Sequence, residues 1–105
     1  MQKDPRIIGA LLHLENVLGR DSFVVTDHWE ADLLAVGVTN PFNPEALAYI
    51  AVEGASGQFT VIIEGPGKTG SDVFSKDIGR FQCDSLDDVT WVVQDFLTIQ
   101  PSQKL

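Results

Sequence analysis

One cysteine and two histidines stand in a chain of 105 residues. Cys83 alone cannot form an internal disulfide, so the fold does not depend on an oxidising compartment. No apolar run approaches the length of a membrane span. The first residues, MQKDPRIIGALLHLENVLGR, spread their charges and offer no small-residue cleavage site, which argues against a secretion signal. The expected location is the cytoplasm. The most informative absence is that of Lys and Arg from Asp21 through Gly67, a stretch that holds Asp21, Asp27, Glu30, Asp32, Glu45, Glu53 and Glu64.

That block carries most of the net charge of −8. The acidity therefore belongs to the middle of the chain, since the flanking segments are nearly balanced. Acid in this excess repels nucleic-acid phosphates, and basic proteins or cations are the partners it suits. A length of 105 residues with 44% hydrophobic and 21% charged content is ordinary for one soluble domain, here taken as residues 1–105. Such a chain buries roughly two-thirds of its unfolded surface and has little left over for a deep catalytic cleft.

Periodicity divides the chain. Asp4 is suited to cap a helix, Pro5 to its first position, and Ile7, Leu11, Leu14 and Leu18 recur on one helical face, with Gly19 as the stop. Between Asp21 and Asp84 the period changes to two, and strands are expected at Phe23–Thr26, Leu33–Val38, Leu47–Val52 and Phe59–Ile63. Turn-forming segments at 27–32, 39–44 and 54–57 separate them, and 65–72 makes a longer loop. A weaker fifth strand runs from Val73 to Cys83. Its alternation breaks between Ile78 and Phe81, which places a bulge near Gly79. A second helix begins at Ser85, with Asp88 as its capping partner, and carries Leu86, Val89, Val92, Val93, Phe96 and Leu97 as a stripe before Pro101 ends it.

Short connections between consecutive strands favour an antiparallel meander. The expected fold class is therefore α+β, an approximately five-stranded antiparallel sheet flanked by an N-terminal and a C-terminal helix. The central strands are apolar on both alternations, so both faces of the sheet want cover. Either the two helices share one face, leaving the other to a second copy of the chain or a ligand, or they take one face each.

No motif assigns a reaction. Gly-Pro-Gly-Lys-Thr-Gly (65–70) fails as a phosphate-binding loop because Ile62 stands where that loop requires its first glycine. Asp27, His28, Glu30 and Asp32 are metal-ligand types, but a turn would scatter them, and no metal or cofactor is expected. A buried, inert Cys83 is the plainer reading of the lone thiol. In a meander, however, the first and third turns and the entry to the last helix fall on one edge. That edge gathers Asp27, Trp29, Glu30, Asp32, Glu53, Asp84, Asp87 and Asp88 as candidate partner-binding residues, with Trp29 as the anchor. The plainer alternative is that these acids solubilise hairpin ends and cap a helix. The layout is similar to that of many bacterial immunity proteins and small secretion chaperones, which bind and mask other proteins, and this likeness transfers no residue. The leading expectation is thus a protein-binding module for a basic partner, of inhibitor, immunity or chaperone type, rather than an enzyme. The alternative is a small-molecule binder or minor enzyme with a pocket on one sheet face near Tyr49 and Ala51.

Overall fold

The computed structural model describes residues 3–26, 32–53, 56–65 and 76–97. Helix α1 (Pro5–Leu18) is followed by a short 3-10 turn at Arg20–Ser22 and five strands, β1 (Val24–Thr26), β2 (Ala35–Asn40), β3 (Asn43–Val52), β4 (Phe59–Gly65) and β5 (Lys76–Cys83). Helix α2 (Leu86–Phe96) closes the described fold. The strands lie in sequence order, each antiparallel to the next, so the expected meander is present.

Local signals account for both helices. The Asp4 carboxylate accepts the Arg6 backbone N–H at 2.9 Å, Pro5 opens the first turn, and Gly19 leaves the helix at a φ of 101°. Ser85 Oγ accepts the Asp88 N–H at 3.2 Å and starts α2. The helix closes at Phe96, ahead of Pro101, which lies outside the described residues. There the Leu97 carbonyl receives the Asn40 side-chain amide at 2.9 Å, which ties the end of α2 to the end of β2.

Strand limits depart from the sequence expectation at two turns. Leu33 and Leu34 form a turn before β2, because the Asp32 carboxylate accepts the Leu34 N–H at 3.0 Å and bends the chain there. Strand β3 begins at Asn43 instead of Leu47, so that 39–44 narrows to a tight turn at Pro41 and Phe42. Pairing jumps from Thr39–Leu47 to Asn40–Asn43, which takes Pro44 out of the ladder that it cannot serve as a donor. The bulge on β5 is where the broken alternation placed it: Ile63 pairs with Gly79 and Glu64 with Asp77, leaving Ile78 as the extra residue. A Cβ on Gly79 would stand 2.8 Å from the Phe81 ring, so glycine gives that ring its place, and Phe81 then meets Phe96 of α2 with ring centroids 4.8 Å apart.

Both helices pack on the same face of the sheet. Ile7, Leu14 and Leu18 of α1, Val89 and Val93 of α2 and its C-cap Leu97 form one cluster with Val36, Val38, Ile50, Val61, Ile63 and Cys83. Of the two arrangements open at the level of sequence, the structure takes the one in which the helices share a face. The other alternation, which includes Ala35, Gly37, Leu47, Tyr49, Ala51 and Ile62, has no helix against it among the described residues.

Two substitutions should separate packing from latching. Ile50→Ala, at the centre of the covered face, is expected to lose about 2–5 kcal/mol in urea unfolding. Asn40→Ala should cost about 1–3 kcal/mol, because it removes both the amide donated to the Leu97 carbonyl and the Oδ1 that accepts the Phe42 N–H at 2.8 Å. A neutral result at Asn40 would show that the latch is incidental.

Candidate functional site

The strand register aligns Ala35, Ala51, Thr60 and Gln82 across β2 to β5. The segment before β2, the β3–β4 turn and the junction of β5 with α2 therefore share one end of the sheet. Asp32, Glu53, Asp84, Asp87 and Asp88 all lie at that end, whereas Asp27, Trp29 and Glu30 fall outside the described residues. Asp21, Glu45 and Glu64 belong to the opposite end.

Asp32 differs from its neighbours because the fold uses it. Its carboxylate accepts the Leu34 N–H at 3.0 Å and the Tyr49 hydroxyl at 3.2 Å, while its carbonyl receives Lys3 Nζ at 2.6 Å. Burial first, and the Asp32 charge second, push the Tyr49 hydroxyl above its ordinary range. The N-terminus of α1 is fastened to the same turn, through the Asp4 N–H to the Leu33 carbonyl at 2.8 Å. This docking brings Lys3 and Arg6 to the acidic end, which the sequence pattern did not anticipate.

Those cations are already engaged. Arg6 Nε lies 2.9 Å from Asp4 Oδ1 and holds the Asp4 carboxyl down at about 2, against an ordinary 3.8. At the far end of α1, Arg20 faces Glu15 at 3.4 Å. Glu53, Asp84, Asp87 and Asp88 are exposed, and among the described residues none pairs with a Lys or Arg. Their partners are Ser56 to Glu53 at 3.3 Å, Gln58 to Asp84 at 2.6 Å, the Ser85 cap at the Asp88 N–H, and His13 Nε2 at 3.1 Å from Asp87. The field of these acids reaches inward. Burial raises the Cys83 thiol above its ordinary range, and the Asp88 and Asp84 charges raise it further. The thiol is thus held protonated and away from solvent, which suits the core and not nucleophilic chemistry.

Compared with known proteins, the chain matches no family model, no curated protein and no solved structure. The reading of this end therefore rests on its own geometry.

An exposed aromatic stands beside the acids among the described residues, and Trp29, the anchor expected from the sequence, lies outside them. Trp91 on α2 is 63% exposed and sits one turn beyond Asp87, whose side chain is 89% exposed. At a spacing of i, i+4 the two share a helix face. Trp91 falls outside the stripe of Leu86, Val89, Val92, Val93, Phe96 and Leu97, so the helical period alone would have placed it on the outer surface. Phe42, 95% exposed at the β2–β3 turn, belongs to the other end of the sheet. Tyr49 and Ala51, candidates for a pocket, lie half-buried on the helix-free face. Among the described residues no three His, Cys, Asp or Glu side chains converge to hold a metal ion, and His28 lies outside them. The segment 66–75, with the glycine-rich loop, is likewise outside the described residues. No described helix is long and apolar enough to cross a membrane.

Because the folded value of Asp4 lies below its ordinary one, its stabilising contribution is complete above 3.8 and disappears as pH falls towards about 2. Asp4→Asn should therefore flatten the pH dependence of urea unfolding across that interval. An unchanged acid limb would show that the Arg6 pair does not couple to folding.

Proposed function

We propose that this chain is a protein-binding module that docks a basic partner at the end of the sheet carrying Glu53, Asp84, Asp87 and Asp88, with Trp91 as the aromatic anchor. The observation that carries this reading is the distribution of cations. Arg6 and Arg20 are engaged by acids of α1 and its N-cap, while four exposed acids at one end have no Lys or Arg opposite them among the described residues. Charge left uncompensated in this way raises the rate at which an oppositely charged surface arrives, and a nearby Trp supplies the contact area that charge alone does not.

In this reading Asp32 contributes by fixing the turn that frames the site rather than by touching the partner, since its carboxylate is occupied by Tyr49 and Leu34. Asp87 and Asp88 serve twice, because acids in the first turn also favour the helix macrodipole. The module works in the cytoplasm, which suits a chain whose only cysteine is a buried free thiol. Masking a basic protein in the manner of an inhibitor, immunity protein or chaperone needs no catalytic group on this side.

The test compares wild type with Glu53→Gln/Asp84→Asn/Asp87→Asn/Asp88→Asn and with Trp91→Ala. Capture from lysate of the source organism at low and physiological salt, read by mass spectrometry, should retain a basic protein on the wild type. Each variant should weaken that retention by more than about tenfold, while surface substitutions of this kind move stability by about 1 kcal/mol or less. Equal retention by all three proteins, or retention of acidic proteins alone, would contradict the proposal.

A further inference from the structure

The helix-free face of the sheet carries the strongest unexplained feature of the molecule. On β3 and β4 it presents Leu47, Tyr49, Ala51 and Ile62, all half-buried, and on β1 it presents Val24, which is 48% exposed. On β2, Ala35, Gly37 and Thr39 are buried and offer this face only small groups. From these observations we propose that a second copy of this chain covers this face, sheet against sheet, to give a dimer with its helices on the outside.

Three observations favour a second copy over another occupant. The first is extent. Five strands about 4.8 Å apart and a seven-residue β4 rising about 3.4 Å per residue span a face of roughly 24 by 24 Å. That planar area, roughly 580 Å² before side-chain relief is added, stands at the lower end of specific interfaces, about 600 Å² per partner. The second is charge. The described side chains on this face carry both signs, Arg80 against the carboxylates of Glu64 and of Asp32, which reaches the face at the Tyr49 hydroxyl, so that two copies can set Arg80 of each against an acid of the other. A basic partner is drawn to the acidic end and has no reason to settle here. The third is composition. Small residues at Ala35, Gly37 and Ala51 allow a facing sheet to approach to the about 10 Å of packed sheets.

This inference is independent of the acidic end, and salt separates the two. Two copies that each carry a net charge of −8 repel one another at long range, so screening should strengthen the dimer, whereas it weakens docking of a basic partner.

Sedimentation equilibrium tests the proposal directly. The wild type should run at close to twice the 11.5 kDa chain mass, with association tightening as salt is raised. Two variants place a charge on the face while giving it a cross-strand partner within the protomer, Ile62→Glu beside Arg80 and Leu47→Lys beside Glu64. Each should weaken association by at least about tenfold, because the charge is desolvated in the dimer. Leu12→Glu, at an exposed site on α1, should leave the mass at the dimer value. A wild type that stays monomeric at high concentration and high salt overturns the proposal, as does a dimer that ignores both face variants. Should a variant not fold, hydroxyl-radical footprinting of the wild type decides the matter: Leu47, Tyr49 and Ile62 gain protection as concentration rises if the proposal holds, and labelling independent of concentration sinks it.

Discussion

Burial of the apolar stripes of α1 and α2 against one face of the sheet is the contact on which the rest of the molecule depends. It supplies a core continuous from Ile7 to Leu97. Removing that apolar surface from water is the largest favourable contribution available to a chain of this size. The same packing determines what is left outside. With both helices on one side, the second apolar alternation of β2 to β4 faces away from them, and an apolar sheet face without a helix against it is a surface suited to contact with another molecule.

The distribution of charge follows from how the helices are seated. Lys3 reaches the Asp32 carbonyl and the Asp4 N–H reaches the Leu33 carbonyl, so the start of α1 is pinned to the turn before β2. Pinning it there holds Asp4 with Arg6, and the turn takes Asp32 into its own hydrogen bonds. Among the described residues the carboxylates of Glu53, Asp84 and Asp87 meet only Ser56, Gln58 and the His13 ring. The acidity of the chain thus resolves into two classes, acids that shape the fold and acids that face solvent, and only the second class is free to meet a partner.

How much of this was legible depends on the range of the interactions. The helix caps at Asp4 and Ser85 act within three residues and were readable, as was the bulge at Ile78, because alternation breaks visibly between Ile78 and Phe81. The meander followed from short connections, and with it the gathering of Asp32, Glu53, Asp84, Asp87 and Asp88 at one end. The start of β3 was misplaced because Pro44 suggests a turn, while the sheet tolerates it where the register skips. The role of Asp32 was not legible, since it depends on Lys3, 29 residues away, and on Tyr49, 17 residues away. Trp91 was readable in principle from its place outside the α2 stripe. Trp29, the anchor expected from the sequence, lies outside the described residues.

The central claim is that the uncompensated acids beside Trp91 form the docking surface. The most direct measurement is a titration of the isotopically labelled protein with a Lys/Arg-rich peptide, followed by amide and indole NMR shifts. The account predicts that the amides of Glu53, Asp84, Asp87 and Asp88 and the Trp91 indole move together, saturably and less so as salt rises, while Phe42 and the opposite end stay still. Shifts spread evenly over the surface, or centred on Glu45 and Glu64, would contradict it.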